Sequence, residues 1–323
     1  MGTCKATAEN YGRGLPTPDI ASRAMTESIL VGVDEYPTAR DAVALAAALA
    51  DATRDEIVAA HVYPLDPLAD SVAFGAPAAD PLHDQAVAIA EHAVAGIAPH
   101  ARALAVPAHS VAAGLQREAQ RAQAELIVVG SSHRGPIGRA TLGTHSTRVV
   151  HGAPCAVAVA PHGLAGRGVR LRSIAVALDG SDEAADALEL ARRLAAATTA
   201  ELRLVTVLAP QIDAWSRYGY VPVDAGYEER ARRACEAILA VARPDEEAEV
   251  LTGSIAPTLI DLSREVDVLV MGSRSYGPAR RLLLGTVSDV LVRSSHCPIV
   301  VMPHSARAHA AADAPAGDAA VAV

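Results

Sequence analysis

Apolar residues along this chain fall into two kinds of run that alternate. Short stretches of Val, Ile, Leu and Ala suit strands buried on both faces, and longer stretches with Ala and Leu at helical spacing suit helices packed against them. In the first half the strands are Ser28 to Asp34 (SILVGVD), Ile57 to Tyr63, Ala101 to His109, Leu126 to Val129 and Ala156 to Ala160. The helical patterns between them run from Thr38 to Ala52, Leu82 to Ile97, Ala112 to Ala124, and onward from Gly143. The second half repeats the order. Its strands are Arg172 to Asp179, Leu202 to Leu208, Glu247 to Thr252, Val268 to Met271 and Ile299 to Met302. Its helices are Glu183 to Ala197, Glu228 to Val241, Pro257 to Glu265, and one opening at Gly285. Five strands alternating with four helices force a parallel sheet with helices on both faces.

The halves are copies. LIVVGSSHRGPIGRATLGTHSTRVVHGAPCAVAVAP (126–161) aligns without a gap on VLVMGSRSYGPARRLLLGTVSDVLVRSSHCPIVVMP (268–303), at an offset of 142 (272 − 130). Of 36 aligned positions 14 are identical, and they include the loop residues, which chance similarity of two αβ units would not keep in register. Asp34 aligns with Asp179 and Val62 with Val207 at an offset of 145 (179 − 34), so three residues are lost between the second and fourth strands. The expected organisation is a flexible leader (1–26), a first domain (27–161), a linker (162–171), a second domain (172–304) and a disordered Ala-, Asp- and Gly-rich tail (305–323). Each domain is expected to bury a core of its own.

Composition narrows the function classes. A net charge of −9 argues against general affinity for nucleic acid or anionic membranes. No apolar segment approaches the roughly 18 residues of a membrane span, and no secretory apolar core opens the chain, so a cytoplasmic location is expected. The four cysteines show no CxxC spacing, and Cys155 and Cys297 stand at repeat-equivalent strand starts where a small apolar residue serves. The histidines are scattered without metal spacing and read as structural or solvated.

In a doubly wound sheet, ligands bind in the crevice at the carboxyl ends of the strands. Three features recur there: the aspartates ending the first strand, the end of the second strand, and the glycine loop after the fourth. Gly143-Thr144 and Gly285-Thr286 stand at helix starts, where free N–H groups and the dipole favour phosphate. The hydroxyls of Thr144, Ser146, Thr286 and Ser288 offer donors or helix caps. Gly-x4-Gly occurs at 138–143 and 272–277 without a following Lys, which excludes a Walker-type loop, and no Gly-x-Gly-x-x-Gly follows a strand. Arg139, Arg280 and Arg281 lie within reach of a polyphosphate or in solvent. Phe74, Trp215, Tyr218 and Tyr220, in the long loops after the second strands, suit a lid or an apolar anchor. No nucleophile–base pair or paired carboxylate emerges, so no catalytic machinery is expected.

On these residues the chain resembles the universal stress proteins, two such domains in tandem, with the fold of the adenine nucleotide alpha-hydrolase-like group. The nucleotide-binding branch of that family carries Gly, two residues, Gly, nine residues, Gly, then Ser or Thr. Gly130 with Gly143-Thr144, and Gly272 with Gly285-Thr286, match its outer parts, while His133 and Ser275 replace the middle glycine. The resemblance implies that an Asp contacts ribose, that a Val meets adenine through its backbone, and that the glycine loop and helix start hold phosphates. Carried over, these roles fall on Asp34, Val62, Gly130, His133, Gly143, Thr144 and Ser146. In the second copy they fall on Asp179, Val207, Gly272, Ser275, Gly285, Thr286, Val287 and Ser288. The first copy departs again at Glu35-Tyr36, where the second keeps Gly180-Ser181.

The function implied is ATP binding in at least one domain, with Mg²⁺ accompanying it, in a stress-response regulatory role without catalysis. Two alternatives stand beside it: a weak ATP-hydrolysing enzyme in which Asp34 or Asp179 serves, and a nucleotide-free dimerisation scaffold. The fifth strands, expected at sheet edges, suggest that the copies meet there as an internal pseudo-dimer. Further association into a homodimer and an unidentified signalling partner complete the expectation.

Overall fold

The computed structural model describes residues 28–65, 81–131, 144–209, 226–273 and 285–304. In the first repeat the order is β1 (Ser28–Gly32), α1 (Thr38–Thr53), β2 (Glu56–Pro64), α2 (Pro81–Val94), β3 (Arg102–Ala108), α3 (Val111–Arg121), β4 (Ala124–Gly130), α4 (Thr144–His151) and β5 (Ala156–Ala160). After α5 (Leu164–Arg167) the second repeat follows: β6 (Ser173–Ala177), α6 (Asp182–Thr198), β7 (Glu201–Leu208), α7 (Tyr227–Leu239), β8 (Glu247–Thr252), α8 (Ile255–Leu262), β9 (Val268–Gly272), α9 (Thr286–Ser294) and β10 (Ile299–Met302). The alternation read from the apolar pattern is therefore present in both halves. The aspartates do not end their strands, however. Asp34 and Asp179 stand two residues beyond β1 and β6, in the turns that lead to α1 and α6.

One mixed sheet of ten strands runs through the molecule in the order β3-β2-β1-β4-β5-β10-β9-β6-β7-β8. Pairing inside each repeat is parallel, with Val31 opposite both Ala59 and Val128, and Val176 opposite both Leu204 and Val270. The first strand of each repeat lies between the second and the fourth. The crossovers on its two sides leave in opposite directions there, and that divergence opens the crevice. The fifth strands pair with each other antiparallel, Val157 opposite Val301 and Val159 opposite Ile299.

Two apolar layers cover the sheet, and both cross from one repeat to the other. One joins Leu45 and Leu49 of α1 to Leu190 and Leu194 of α6. The other joins Val150 of α4 and Val157 of β5 to Leu291 of α9 and Val301 of β10. Each such side chain contributes about 1.5–3 kcal/mol when fully buried. The buried layers of the two repeats are thus continuous with each other. Arg193 of α6 also pairs with Glu125 of β4 across the same boundary.

The stretch expected to be a plain linker opens with a helical turn. Asp41 on α1, only 3% exposed, accepts hydrogen bonds from the N–H groups of Gly163 and Ala165, each at 2.8 Å. A carboxylate on these free donors at the start of α5 satisfies groups that would otherwise lack partners. The missing three residues are also placed: α8 has 8 residues where α3 has 11, so most of the difference shortens one helix by about a turn.

Candidate functional site

The crevice of the second repeat is built by four segments. After β6 the chain turns sharply at Gly180, whose φ of +77° favours glycine. Asp179 Oδ1 accepts from Ser181 N at 2.9 Å and from Ser181 Oγ at 2.5 Å. Ser181 Oγ in turn accepts from Ala184 N at 3.2 Å, which caps α6. The turn therefore fixes Asp179 at the crevice by the same bonds that start the helix. The first repeat, with Glu35-Tyr36-Pro37, keeps the aspartate's bond to the backbone two residues on but not the serine cap. Asp34 Oδ1 accepts from Tyr36 N at 3.1 Å, and α1 begins at Thr38 without a side-chain cap.

Val207 sits where β7 outlasts its neighbour. Leu178 N donates to Val205 O at 2.8 Å, after which β6 has left the ladder. Backbone groups of a strand alternate sides, so Val207, two residues on, aims its N–H and C=O toward the space that β6 vacates. A base edge with one donor and one acceptor fits such a pair.

Opposite lies α9. Its N-cap is Gly285, at φ −60° and ψ 153°, and no side chain caps the helix. The backbone N–H groups of the first turn thus face the crevice without a hydroxyl of this helix over them. The expectation that Ser288 caps the helix is corrected here, since no side chain caps α9. Ser288 is 2% exposed and its hydroxyl donates to the Gly272 carbonyl at 3.4 Å, tying α9 to the end of β9. Thr286 is exposed at the helix start.

Gly272 and Gly130 have a packing reason of their own. A Cβ on Gly130 would lie 2.5 Å from Thr38 O, and one on Gly272 would lie 2.8 Å from Ala184 N and 2.8 Å from Glu183 C. Each glycine lets the first turn of the helix after the repeat's first strand rest on the end of its fourth strand. The sequence reading assigned both to phosphate contact and missed this.

Together these segments enclose a cavity of about 220 Å³. Of the residues named for the second copy, Asp179, Val207, Gly272, Gly285, Thr286, Val287 and Ser288 line it. The sequence reading missed the apolar part of the wall, Ala177, Val205 and Met271 from the strands, Leu178 just after β6, and Ile255 and Leu259 from α8, together with the hydroxyl-bearing Thr206 of β7. Apolar residues at helical spacing read as core, and only the exposure of Ile255, at 41%, marks it as unlike a core residue. A mouth with backbone donors and a carboxylate over an apolar floor suits a ligand with a flat apolar part and a polar, anionic end.

In the first repeat Asp34, Val62 and Gly130 occupy the equivalent places, and Thr144 opens α4. The side chains of Thr144 and Ser146, and the residues His133, Gly143 and Ser275, lie outside the described residues. So do Arg139, Arg280, Arg281 and the four loop aromatics. His61 of β2 donates through Nδ1 to the Val33 carbonyl at 2.9 Å, a structural use. Burial pushes the thiols of Cys155 and Cys297 up to about 12, so neither is a nucleophile at neutral pH.

The family model described as "Universal stress protein family" matches residues 25–161 and again 170–303. A universal stress protein of Mycobacterium tuberculosis is 34% identical over 154 residues, 42% of this chain and 49% of the relative. A second from that organism is 24% identical over 205 residues, 60% of this chain and 69% of the relative. The chain thus spans about half the length of the first curated relatives it matches. A universal stress protein of Archaeoglobus fulgidus superposes with a TM-score of 0.62 at 19% identity, covering 86% of this chain and 98% of that one, and so shares the fold. This chain belongs to the universal stress protein family, with one domain of that family in each repeat.

Proposed function

We propose that the chain binds an adenine nucleotide, ATP, in the crevice of the second repeat, and that its output is regulatory and not catalytic. One observation carries the reading: Asp179, the backbone edge of Val207, and the uncapped start of α9 at Gly285 line a single apolar-floored cavity. In this reading adenine lies over Ala177, Val205 and Leu259 with its edge on Val207, and ribose meets Asp179. The phosphates meet the N–H groups of Gly285, Thr286 and Val287. Among the described residues no group of three or more His, Cys, Asp or Glu converges, so an accompanying Mg²⁺ would be held by phosphates and water.

The role is that of a cytoplasmic stress-response protein which changes its interactions when loaded, with the antiparallel β5–β10 pair as the seam of an internal pseudo-dimer. Two chains associating further, and an as yet unidentified partner that reads the loaded state, belong to the same proposal. Among the described residues no helix is long and apolar enough to cross a membrane.

Gly285→Val tests the site. Gly285 has a φ of −60°, open to any L residue, so the substitution alters the cavity mouth without straining the backbone. Titration calorimetry with ATP should show affinity reduced by about tenfold or more, since 1.4 kcal/mol of lost contact is already tenfold. Unchanged affinity would mean that the site lies elsewhere. ADP accumulating during incubation with the wild-type protein would favour the hydrolytic alternative.

A further inference from the structure

Asp34, Val62 and Gly130 are the repeat equivalents of Asp179, Val207 and Gly272, yet the third helix of each repeat meets its sheet through different residues. In the first repeat α3 lies directly on the sheet. A Cβ on Gly114 would stand 2.8 Å from Val62 Cγ1, 3.0 Å from Val62 Cγ2 and 3.1 Å from Ala108 Cβ. The helix backbone therefore rests on the Val62 side chain. One residue on, Leu115 is 1% exposed, and its Cδ1 lies 2.8 Å from where a Gly32 Cβ would be. Leu115 thus fills the floor at the end of β1. Both contacts exist only because Gly32 and Gly114 lack a Cβ.

In the second repeat both glycines are replaced. The N-cap positions Ser110 and Ser254 align α3 with α8, so Thr258 matches Gly114 and Leu259 matches Leu115. The strand offset places Ala177 at Gly32 and Val207 at Val62. Ala177 carries a Cβ at the place that Leu115 Cδ1 approaches in the first repeat, so the Leu259 side chain takes another course. Thr258 carries a Cβ where Gly114 lets α3 rest on Val62. Its Oγ1 is turned instead toward Gly253, 2.5 Å from where a Cβ would stand on that residue. Ala177, Val207 and Leu259 then all face the 220 Å³ cavity. Interiors close-pack, so a gap of one carbon between helix and sheet decides whether such a space exists.

We infer that Gly32 and Gly114 close the first crevice to the base, so that the chain takes up one adenine nucleotide, in its second repeat alone. The inference rests on the nucleotide reading above and assigns its specificity to one pair of positions, 32/177 and 114/258.

The test uses the full chain. Calorimetry with ATP should give one equivalent, and Gly285→Val should weaken it by about tenfold or more. Photolabelling with 8-azido-ATP followed by peptide mapping should place the label in residues 170–303. Two equivalents, of which Gly285→Val weakens only one, or comparable labelling of residues 28–131, would overturn this inference and leave the nucleotide reading standing. Neither heat nor label in any part of the chain would overturn the nucleotide reading, and this inference with it.

Discussion

Gly130→Ala separates packing from ligand contact. A new Cβ would sit 2.5 Å from the Thr38 carbonyl oxygen, where ordinary contact begins at 3.4 Å. The first turn of α1 must therefore move away from β4 by about 0.9 Å (3.4 − 2.5), because the obstacle is backbone and cannot rotate aside. Overpacking of this kind costs about 1–3 kcal/mol. Replacing Gly with Ala also restricts the unfolded chain, which returns about 0.4–1 kcal/mol where the native backbone admits Ala. The net expectation is a loss of about 1–2 kcal/mol in the ligand-free protein, read from urea unfolding followed by circular dichroism. Gly272→Ala should behave alike but more mildly, since its closest contacts, at 2.8 Å, require a shift of about 0.6 Å (3.4 − 2.8). Were these glycines present only to let phosphate approach, ligand-free stability would be unaltered or slightly raised. A Gly130→Ala protein as stable as wild type would therefore refute the packing account.

Two further substitutions probe the frame that holds the site. Val301 is fully buried and pairs with Val157 at the seam between repeats; Val301→Lys should cost at least about 3 kcal/mol through lost burial and a desolvated charge. The seam should open to limited proteolysis, and an unchanged digestion pattern would count against it. Glu246 grips Arg192 through both oxygens, at 2.7 and 2.9 Å, and hydrogen bonding to that guanidinium holds its carboxyl below the ordinary value of 4.5. A depressed carboxyl contributes stability above its unfolded value and loses it as pH falls through the folded one. Glu246→Gln should therefore cost about 2 kcal/mol at pH 7, with the gap to wild type narrowing as pH drops below 4.5. A gap independent of pH would show that the charge contributes nothing.

Much of this architecture is legible in the apolar pattern because strands such as Ile29–Val31 and Val268–Met271 are buried on both faces and read as unbroken runs. The duplicated glycine loops located the crevice, since their register survives duplication. What the pattern hides depends on contacts between distant segments. Asp41 reads as an ordinary polar position of an amphipathic helix, and its capping of α5 needs a partner more than 120 residues away. Gly130 and Gly272 read as loop glycines because their obstacle, the first turn of another helix, is invisible in linear order. The exchange of Gly32 and Gly114 for Ala177 and Thr258 is visible as letters. Its meaning appears only once Leu115 Cδ1 is seen 2.8 Å from where a Gly32 Cβ would stand and Val62 Cγ1 2.8 Å from where a Gly114 Cβ would stand.

The antiparallel joining of β5 to β10 has a directional consequence. Carboxyl strand ends of the first repeat lie along one rim of the slab, and those of the second along the opposite rim. Anything entering the second repeat's crevice therefore approaches from one rim, and a molecule docking at the carboxyl strand ends of the first repeat approaches from the other. Any influence of one on the other has to pass through the strands and the apolar layers that both repeats share.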